Sequence, residues 1–285
     1  MNKLTNERKK ILIEKSYNSR IKVLKMMENG ASHLGGALSC LDILTVLFNE
    51  ILRHNPKNPK WLNRDRFILS AGHKAIALYA TLQDQGYFDE KILWTFNRFR
   101  TKVPEHPDEK LLPGVEFPTG ALGHGLSVSC GMAITAKVIN SNCKFFTLLG
   151  DGECSEGTVW EAAMAASHYK LDNLVAIIDL NGLQVNGKTK DIMNSAPLDK
   201  KFSAFGWEVQ IIDGNNYDEI YNVLKSIPLM TGKPSCIIAR TVKCKGISFA
   251  EDDFSTHHCH WEKEKINKAI VNLNENKKKE LELFE

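Results

Sequence analysis

Apolar, β-branched runs alternate with helical segments through the second half of the chain, and this alternation restricts the possible folds more than any other feature. The runs cover 143–150, 174–180, 207–213 and 235–240. Strands that are apolar along their whole length are typical of parallel sheets that helices cover on both faces. The pattern therefore predicts an α/β fold with a central, mostly parallel sheet and helices on both faces.

The rest of the chain supplies most of the helices and one further strand. Helices are expected at 6–29, 41–52, 76–82, 156–169 and 216–227 and in the charged segment 261–285, and a short buried strand at 66–72. The region 98–125 is rich in proline and glycine, which predicts a long irregular loop of the kind that often carries function. No repeat or low-complexity linker interrupts the chain, so residues 1–285 are expected to form one domain.

Charge and composition exclude several classes of protein. The formal net charge is only +3, and basic and acidic residues are mixed throughout, which argues against a nucleic-acid partner. No run approaches the roughly 18 apolar residues of a membrane-spanning helix, so no membrane partner is expected. The seven cysteines form no CxxC pair, which argues against a zinc ribbon or a disulfide framework. We therefore expect a cytoplasmic protein.

A GDG turn stands where the first of the apolar runs is expected to end. Gly150 and Gly152 allow the backbone to approach a phosphate closely, and Asp151 between them supplies a hard oxygen ligand. Asn181 follows the next predicted strand and is therefore expected at the same sheet edge, where parallel sheets bind ligands. A carboxylate, an amide oxygen, a backbone carbonyl and phosphate oxygens together suit Mg²⁺.

Each of these features also has an ordinary structural interpretation. A GDG turn occurs where a strand simply leads into a helix, and an asparagine after a strand is often only a turn residue. The pair Asn186-Gly187 is itself expected to turn a hairpin. The occurrence of GDG at one strand end and of asparagine at the next favours a phosphate and metal site over two unrelated turns.

The stretch around this turn, LLGDGECSEGTVWEAAMAASHYKLDNLVAIIDLNGLQVNG, resembles the thiamine-diphosphate motif of transketolases. The resemblance implies the thiamine-diphosphate-binding fold, with thiamine diphosphate and Mg²⁺ as cofactors. It implies that Asp151, Asn181 and the carbonyl of Leu183 bind Mg²⁺. It further implies cofactor contacts from Gly150, Gly152, Glu153 and Asn181, and a catalytic carboxylate cluster across a dimer that includes Glu156.

Further segments resemble the histidine-bearing segments of the same family: NGASHLGGALSCLDILTVLF, ILSAGHKAIALYATL, PEHPDEKLLPGVEFPTGALGHGLS and KCKGISFAEDDFSTHH. They imply that His33, His106 and His257 are catalytic and move protons at the sugar, a task suited to imidazoles that titrate near neutral pH. They also imply cofactor contacts, with His73 and His257 at the diphosphate and Gly120, Ala121 and Leu122 against the aminopyrimidine.

The run HHCH at 257–260 admits a different interpretation. Histidine and cysteine are zinc ligands, so the run by itself also suggests a zinc site. Adjacent residues point in different directions, however, and no second ligand pair stands at zinc-finger spacing. The resemblance assigns the active-site histidine to His257 rather than His258.

The resemblance covers nearly the whole chain and corresponds to the N-terminal half of a transketolase. It implies transfer of a two-carbon ketol unit from a ketose phosphate to an aldose, as in pentose phosphate metabolism. The cofactor-activating glutamate and much of the sugar-phosphate site belong to the other half in this family. A separate C-terminal partner subunit is therefore expected, with two copies of each chain in the assembly.

Three alternatives stay open. The first is another two-chain thiamine enzyme, such as a deoxyxylulose-phosphate synthase or a 2-oxo acid dehydrogenase component, although PGVEFPTGALGHG favours transketolase. The second is a split transketolase for a branched or sulfonated sugar, because Ser32 and Leu34 flank His33 where glycine and proline are usual. The third is a non-catalytic paralogue that only binds the cofactor.

Overall fold

A five-stranded sheet forms the centre of the molecule in the computed structural model, which describes residues 4–284. The strands are β1 (Arg66–Leu69), β2 (Phe145–Gly150), β3 (Leu174–Leu180), β6 (Glu208–Asp213) and β7 (Ser235–Arg240). Their order is β1-β2-β3-β7-β6, and every neighbouring pair is parallel. The predicted parallel sheet is confirmed.

Helices precede, connect and follow the strands. They are α1 (Asn6–Met26), α2 (Leu34–Ser39), α3 (Leu41–Val46), α4 (Ala75–Asp84), α5 (His124–Val138), α6 (Gly157–His168), α7 (Thr189–Ile192), α8 (Leu198–Ala204), α9 (Tyr217–Lys225) and α10 (Lys263–Glu282). The helix expected at 41–52 begins as α3 and continues as a π-helical turn over Leu47–Ile51. Helix α5 was not expected, because its glycines, serines and β-branched residues give a weak helical signal.

The apolar side chains of the strands serve two separate cores. In β2, Phe146 and Leu148 belong to the core that includes residues of α1, α3, α4, α9 and α10. The alternate residues Phe145 and Leu149 belong to the core beneath α5, α6 and α8. Successive strand side chains point to opposite faces, so a strand that is apolar throughout requires both layers. The predicted helices on both faces are thus confirmed.

A short hairpin follows β3 near the edge where the strands end. Its strands are β4 (Leu183–Gln184) and β5 (Gly187–Lys188), and Gln184 pairs with Gly187. The expected hairpin is present, but Gly187 belongs to the ladder, so the turn lies one residue earlier, at Val185 and Asn186. Among residues 4–284, the helices are too short or too polar to cross a bilayer.

A buried ion pair ties α1 to α3. The guanidinium of Arg20 donates to both carboxylate oxygens of Asp42, at 2.9 Å each. Ser16, Asn215 and Tyr217 donate further hydrogen bonds to the same carboxylate. Burial raises the pKa of Asp42, but the guanidinium and these donors outweigh it and hold that pKa below its usual value. The pair therefore lies in a fully hydrogen-bonded network.

Replacing Asp42 with alanine should lower the free energy of unfolding by about 3–5 kcal/mol, because it leaves the Arg20 charge buried without a partner. Urea denaturation followed by circular dichroism measures the change. The exposed pair between Lys278 and Glu282 supplies the control, since Glu282→Ala should change stability by less than about 0.5 kcal/mol. A loss below about 1 kcal/mol in Asp42→Ala would contradict the assigned role of the network.

Candidate active site

A cavity of about 360 Å³ opens at the carboxyl ends of β2 and β3. Most of the site residues predicted from the sequence line it, and they come from widely separated parts of the chain. These are His33, His73, His106, Gly120, Leu122, Gly150, Asp151, Gly152, Glu153, Asn181, Leu183 and His257. Ala121 and Glu156 do not line the cavity; both are exposed. The fold thus gathers almost the whole predicted set at one sheet edge.

Asp151 follows β2 directly and is almost completely buried. Its Oδ2 atom accepts hydrogen bonds from the backbone of Gly182, at 3.0 Å, and from Thr189 Oγ1, at 2.8 Å. Burial raises the pKa of this carboxyl, and the nearby carboxylate of Asp179 raises it further. A bound cation would offset both effects, so the site favours a positive ion beside Asp151.

Asn181 and Leu183 stand beyond the end of the neighbouring strand β3. The amide oxygen of Asn181 accepts a hydrogen bond from the backbone of Leu183, at 3.1 Å. The carbonyl of Leu183 accepts one from Nζ of Lys243, at 3.3 Å. A carboxylate, an amide oxygen and a carbonyl therefore line one cavity, and the carbonyl already faces a positive charge.

Two lysines line the cavity that the sequence analysis did not single out. Nζ of Lys74 lies 2.5 Å from Oδ2 of the fully buried Asp179, which also accepts hydrogen bonds from Ser39 and Thr241. Lys243 has no carboxylate partner among the described residues. Burial, followed by the charge of Lys74, lowers the pKa of Lys243 to about 8. The cavity therefore holds one neutralised and one unneutralised ammonium group.

The buried carboxylate of Glu153 joins three segments of the chain. It accepts hydrogen bonds from the hydroxyl of Ser70 after β1, from the backbone of Gly123 at 2.9 Å and from the backbone of Gly150 at 3.0 Å. Because these donors already occupy both oxygens, Glu153 acts on the cavity chiefly by fixing its walls. Gly123 ends the long loop with φ of 82°, and a Cβ there would lie 2.6 Å from Glu156.

Five imidazoles gather around His33. The centroid of its ring lies 4.9 Å from that of His73, 6.4 Å from His106, 5.3 Å from His257 and 4.6 Å from His258. His73, His257 and His258 thus lie closer to His33 than His106 does. His258, which the resemblance passed over, is as near as His257 but lies outside the cavity wall. Proximity alone therefore does not separate these two neighbours.

Burial sets the charge state of the inner histidines. It lowers the pKa of His33 and of His257 to about 4 each, and it lowers that of His73 further. For His257 the ammonium of Lys243, 3.3 Å away, acts in the same direction. Glu105, at 3.1 Å from Nδ1 of His33, opposes the shift at that ring without overcoming it. These imidazoles are therefore neutral near pH 7.

The stability of the fold should fall as the medium becomes more acidic. An unfolded histidine titrates near pH 6.5, whereas His257 titrates at about 4 in the folded chain, so the unfolded state binds more protons between these values. The free energy of unfolding should therefore decrease as pH falls from about 6.5 to 4. In His257→Asn the decrease should be smaller, as measured by urea denaturation across this range. The exposed His168→Asn is the control; an unchanged slope in His257→Asn would contradict the assignment.

The long loop predicted at 98–125 lies over one side of the cavity. No regular helix or strand lies between Asn97 and Gly123 among the described residues, and α5 begins at His124. His106 and Gly120 line the cavity yet remain exposed, and a Cβ at Gly120 would lie 3.5 Å from the ring of His106. The loop therefore forms an open side of the site, in contrast to the buried edge at Asp151.

Sequence reasoning missed Lys74, Lys243 and Glu105, although two of them carried a usable signal. Lys74 directly follows His73 in the SAGHKAIALY segment, and Lys243 lies in the KCKG sequence next to β7. A lysine beside a residue assigned to a diphosphate is itself a candidate for binding it. Glu105 had no comparable signal, because only the folded loop brings it to His33 and His258.

Sequence comparison identifies relatives over most of the chain. The family described as "Transketolase, thiamine diphosphate binding domain" matches residues 13–283. One of the named subunits of the apulose-4-phosphate transketolase of Phocaeicola vulgatus is 42% identical over 245 residues, covering 86% of this chain and 87% of that protein. The 6-deoxy-6-sulfo-D-fructose transketolase subunit of a Clostridium species is 41% identical over 244 residues, covering 86% and 89%.

Solved structures give the same answer. The transketolase of Campylobacter jejuni superposes with a TM-score of 0.86 at 34% identity, covering 93% of this chain and 43% of that one. The chain thus spans less than half of this longer protein, whereas it matches most of each separate subunit described above. By family match, identity and fold, the chain belongs to the transketolase family and comprises its thiamine diphosphate binding domain.

Proposed function

We propose that this chain is the cofactor-binding subunit of a two-chain transketolase that moves a two-carbon ketol unit from a ketose phosphate to an aldose. The observation that carries the proposal is the shared cavity: the oxygen ligands around Asp151 and the imidazoles around His33 line it together. A protein that only held the cofactor would need the first group and not the second. The reaction needs both, because it binds a diphosphate and moves protons at a sugar.

The oxygen atoms at the sheet edge fit Mg²⁺. Asp151 supplies one negative charge, while Asn181 and the carbonyl of Leu183 supply neutral oxygens, a hard donor set that Mg²⁺ prefers. The raised pKa of Asp151 and the ammonium beside the Leu183 carbonyl both support a cation at this place. In this proposal Asp151, Asn181 and Leu183 hold the ion, and phosphate oxygens complete its coordination.

The other side of the same wall fits a diphosphate. Gly150 and Gly152 leave room for the backbone to approach, since a Cβ at Gly150 would have Nζ of Lys74 at 3.7 Å. His73 and Lys243 add donors within the same cavity. Gly120, Ala121 and Leu122 in the long loop are proposed to contact the aminopyrimidine. Thiamine diphosphate, when bound, supplies the electron sink for cleaving the bond beside the ketose carbonyl.

The histidines are proposed to act on the sugar. His33, His106 and His257 line the cavity, and the two buried ones are neutral near pH 7, so each can accept or donate a proton at a sugar oxygen. The neighbouring ammonium of Lys243 keeps His257 from holding an extra proton. These side chains thus orient the sugar hydroxyls and move protons, while the buried walls exclude water.

The assembly with a partner chain forms part of the proposal. Relatives of similar length are named as transketolase subunits, which supports a separate partner chain. Glu156 is exposed at the start of α6, close to the cavity edge yet outside it. That placement suits a carboxylate that meets another chain, as in the proposed cluster across an assembly of two copies of each subunit. A cytoplasmic location is proposed with it.

A second candidate differs only in the sugar. Two relatives are named for apulose 4-phosphate and another for 6-deoxy-6-sulfo-D-fructose, which supports a modified donor for this chain as well. The ring of His33 lies against Glu105 and His258, so an additional carboxylate stands close to the place proposed for the reacting sugar. The carboxylate could favour a sugar with an additional hydroxyl group on that side.

The test is a ketol-transfer assay with thiamine diphosphate and Mg²⁺, using this chain with and without its C-terminal partner. Xylulose 5-phosphate with ribose 5-phosphate represents ordinary substrates, and the two modified sugars are assayed in parallel. Turnover only in the mixture of chains supports the two-chain enzyme, and the best donor decides between the candidates. A mixture that binds cofactor but turns over none of these sugars would contradict the proposed function.

A further inference from the structure

A second group of metal-binding side chains lies at the mouth of the cavity, away from Asp151. Oε1 of Glu105 is 3.1 Å from Nδ1 of His33 and 3.0 Å from Nε2 of His258. The three atoms lie within 4.8 Å of one another. Atoms that coordinate one ion at about 2.0–2.2 Å stand at such mutual separations.

The group is poorly explained as a simple hydrogen-bonded cluster. Nδ1 of His33 is buried and makes no hydrogen bond to any described residue, although Glu105 is close, because the ring does not point at the carboxylate. Buried polar atoms without a partner are uncommon and call for an explanation. Ligands of one metal point at the ion and not at one another, which accounts for this orientation.

The chemistry of the ligands selects the class of ion. Two imidazoles and one carboxylate suit Zn²⁺ and its neighbours in the first transition row, whereas Mg²⁺ prefers oxygen ligands alone. We propose that His33, Glu105 and His258 bind one transition-metal dication, preferably Zn²⁺, with water completing a tetrahedral site. The site is separate from the oxygen ligands at the sheet edge, which no imidazole joins.

The surroundings are compatible with a dication at this position. Burial keeps the ring of His33 in the neutral form that binds metals, and Glu105 supplies a negative charge. The nearest unneutralised ammonium, Lys243, contacts His257 and Leu183 and not the three ligands. The HHCH run contributes only His258, since His260 pairs with Glu262 instead. The expected consequence is inhibition, because the ion would immobilise His33.

The experiment is metal binding to the full-length, metal-free chain in excess Mg²⁺, which occupies oxygen sites. Zn²⁺ is titrated against a chromogenic chelator, and Co²⁺ reports the ligand geometry through its visible absorption. Glu105→Gln and His258→Asn each remove one ligand at a solvent-accessible position. Cys259→Ser and His260→Asn are matched controls from the same segment, and circular dichroism checks that all variants fold.

Wild type and both controls should bind one equivalent of Zn²⁺, with the Co²⁺ spectrum of a tetrahedral nitrogen and oxygen site. Glu105→Gln and His258→Asn should each weaken Zn²⁺ binding by at least about tenfold, since loss of even an indirect partner of a metal commonly has that effect. Absence of binding to the wild type would overturn the proposal. So would unchanged affinity in both ligand variants, or loss of the site in Cys259→Ser. None of these readouts depends on ketol transfer.

Discussion

Asp151→Ala should abolish the Mg²⁺-dependent binding of thiamine diphosphate, weakening it by at least about a hundredfold. The carboxylate is the only charged group in the proposed oxygen donor set, and a metal ion needs all of its ligands in place. The substitution also removes the hydrogen bonds that Gly182 and Thr189 donate to Oδ2. Isothermal titration with cofactor, at several Mg²⁺ concentrations, measures the effect.

Two further variants separate loss of the ion from loss of structure. Asp151→Asn keeps the size of the side chain and one acceptor oxygen but removes the charge, so the fold should persist while binding of the cofactor weakens. Asp191→Asn removes an exposed carboxylate from nearby α7 and should bind the cofactor like the wild type. Cofactor binding that stays Mg²⁺-dependent and equally tight in Asp151→Ala would overturn the metal assignment.

His106→Ala should lower the turnover number of the two-chain enzyme by about 10²–10⁴-fold, the range typical of a lost acid–base group. Its effect on cofactor affinity should be small, below about threefold. The ring lies on the exposed side of the cavity and makes no hydrogen bond to a described residue, so its removal leaves the oxygen ligands in place. Steady-state assays and cofactor titration measure the two effects separately.

The comparison variant is His168→Ala, which removes an exposed imidazole at the end of α6 outside the cavity wall. It should change neither quantity. If His106→Ala reduced turnover and cofactor affinity by the same factor, the residue would act through cofactor binding, and its proposed role at the sugar would be wrong.

The sheet and its ligand-bearing edge could be predicted because both depend on local patterns. An apolar strand must be covered on both faces, and the ends of parallel strands meet at one edge, so Asp151 and Asn181 could be placed together from the sequence. Helix α5 could not, since Gly125, Ser127, Ser129 and Gly131 weaken its local preference for a helix. Packing against α6 and β2 stabilises it instead.

Contacts across the cavity were harder to predict because they join segments that no local pattern connects. Glu105 meets His258 through a loop contact across 153 residues of sequence. Lys243 reaches Leu183 only because the segment after β7 folds back over the site. The sequence could distinguish His257 from His258 only by resemblance, since both neighbours of His33 have the same chemistry.

The hydrogen bonds of Glu153 have a consequence for how this chain can change during evolution. One carboxylate holds the hydroxyl of Ser70 and the backbones of Gly123 and Gly150, so substitutions at these positions cannot accumulate independently. Insertions or deletions within 98–122 are tolerated only when Gly123 still reaches its acceptor. The loop can therefore diversify towards new sugars at its middle while its final residue stays constant, which separates the adaptable part of the site from the invariant part.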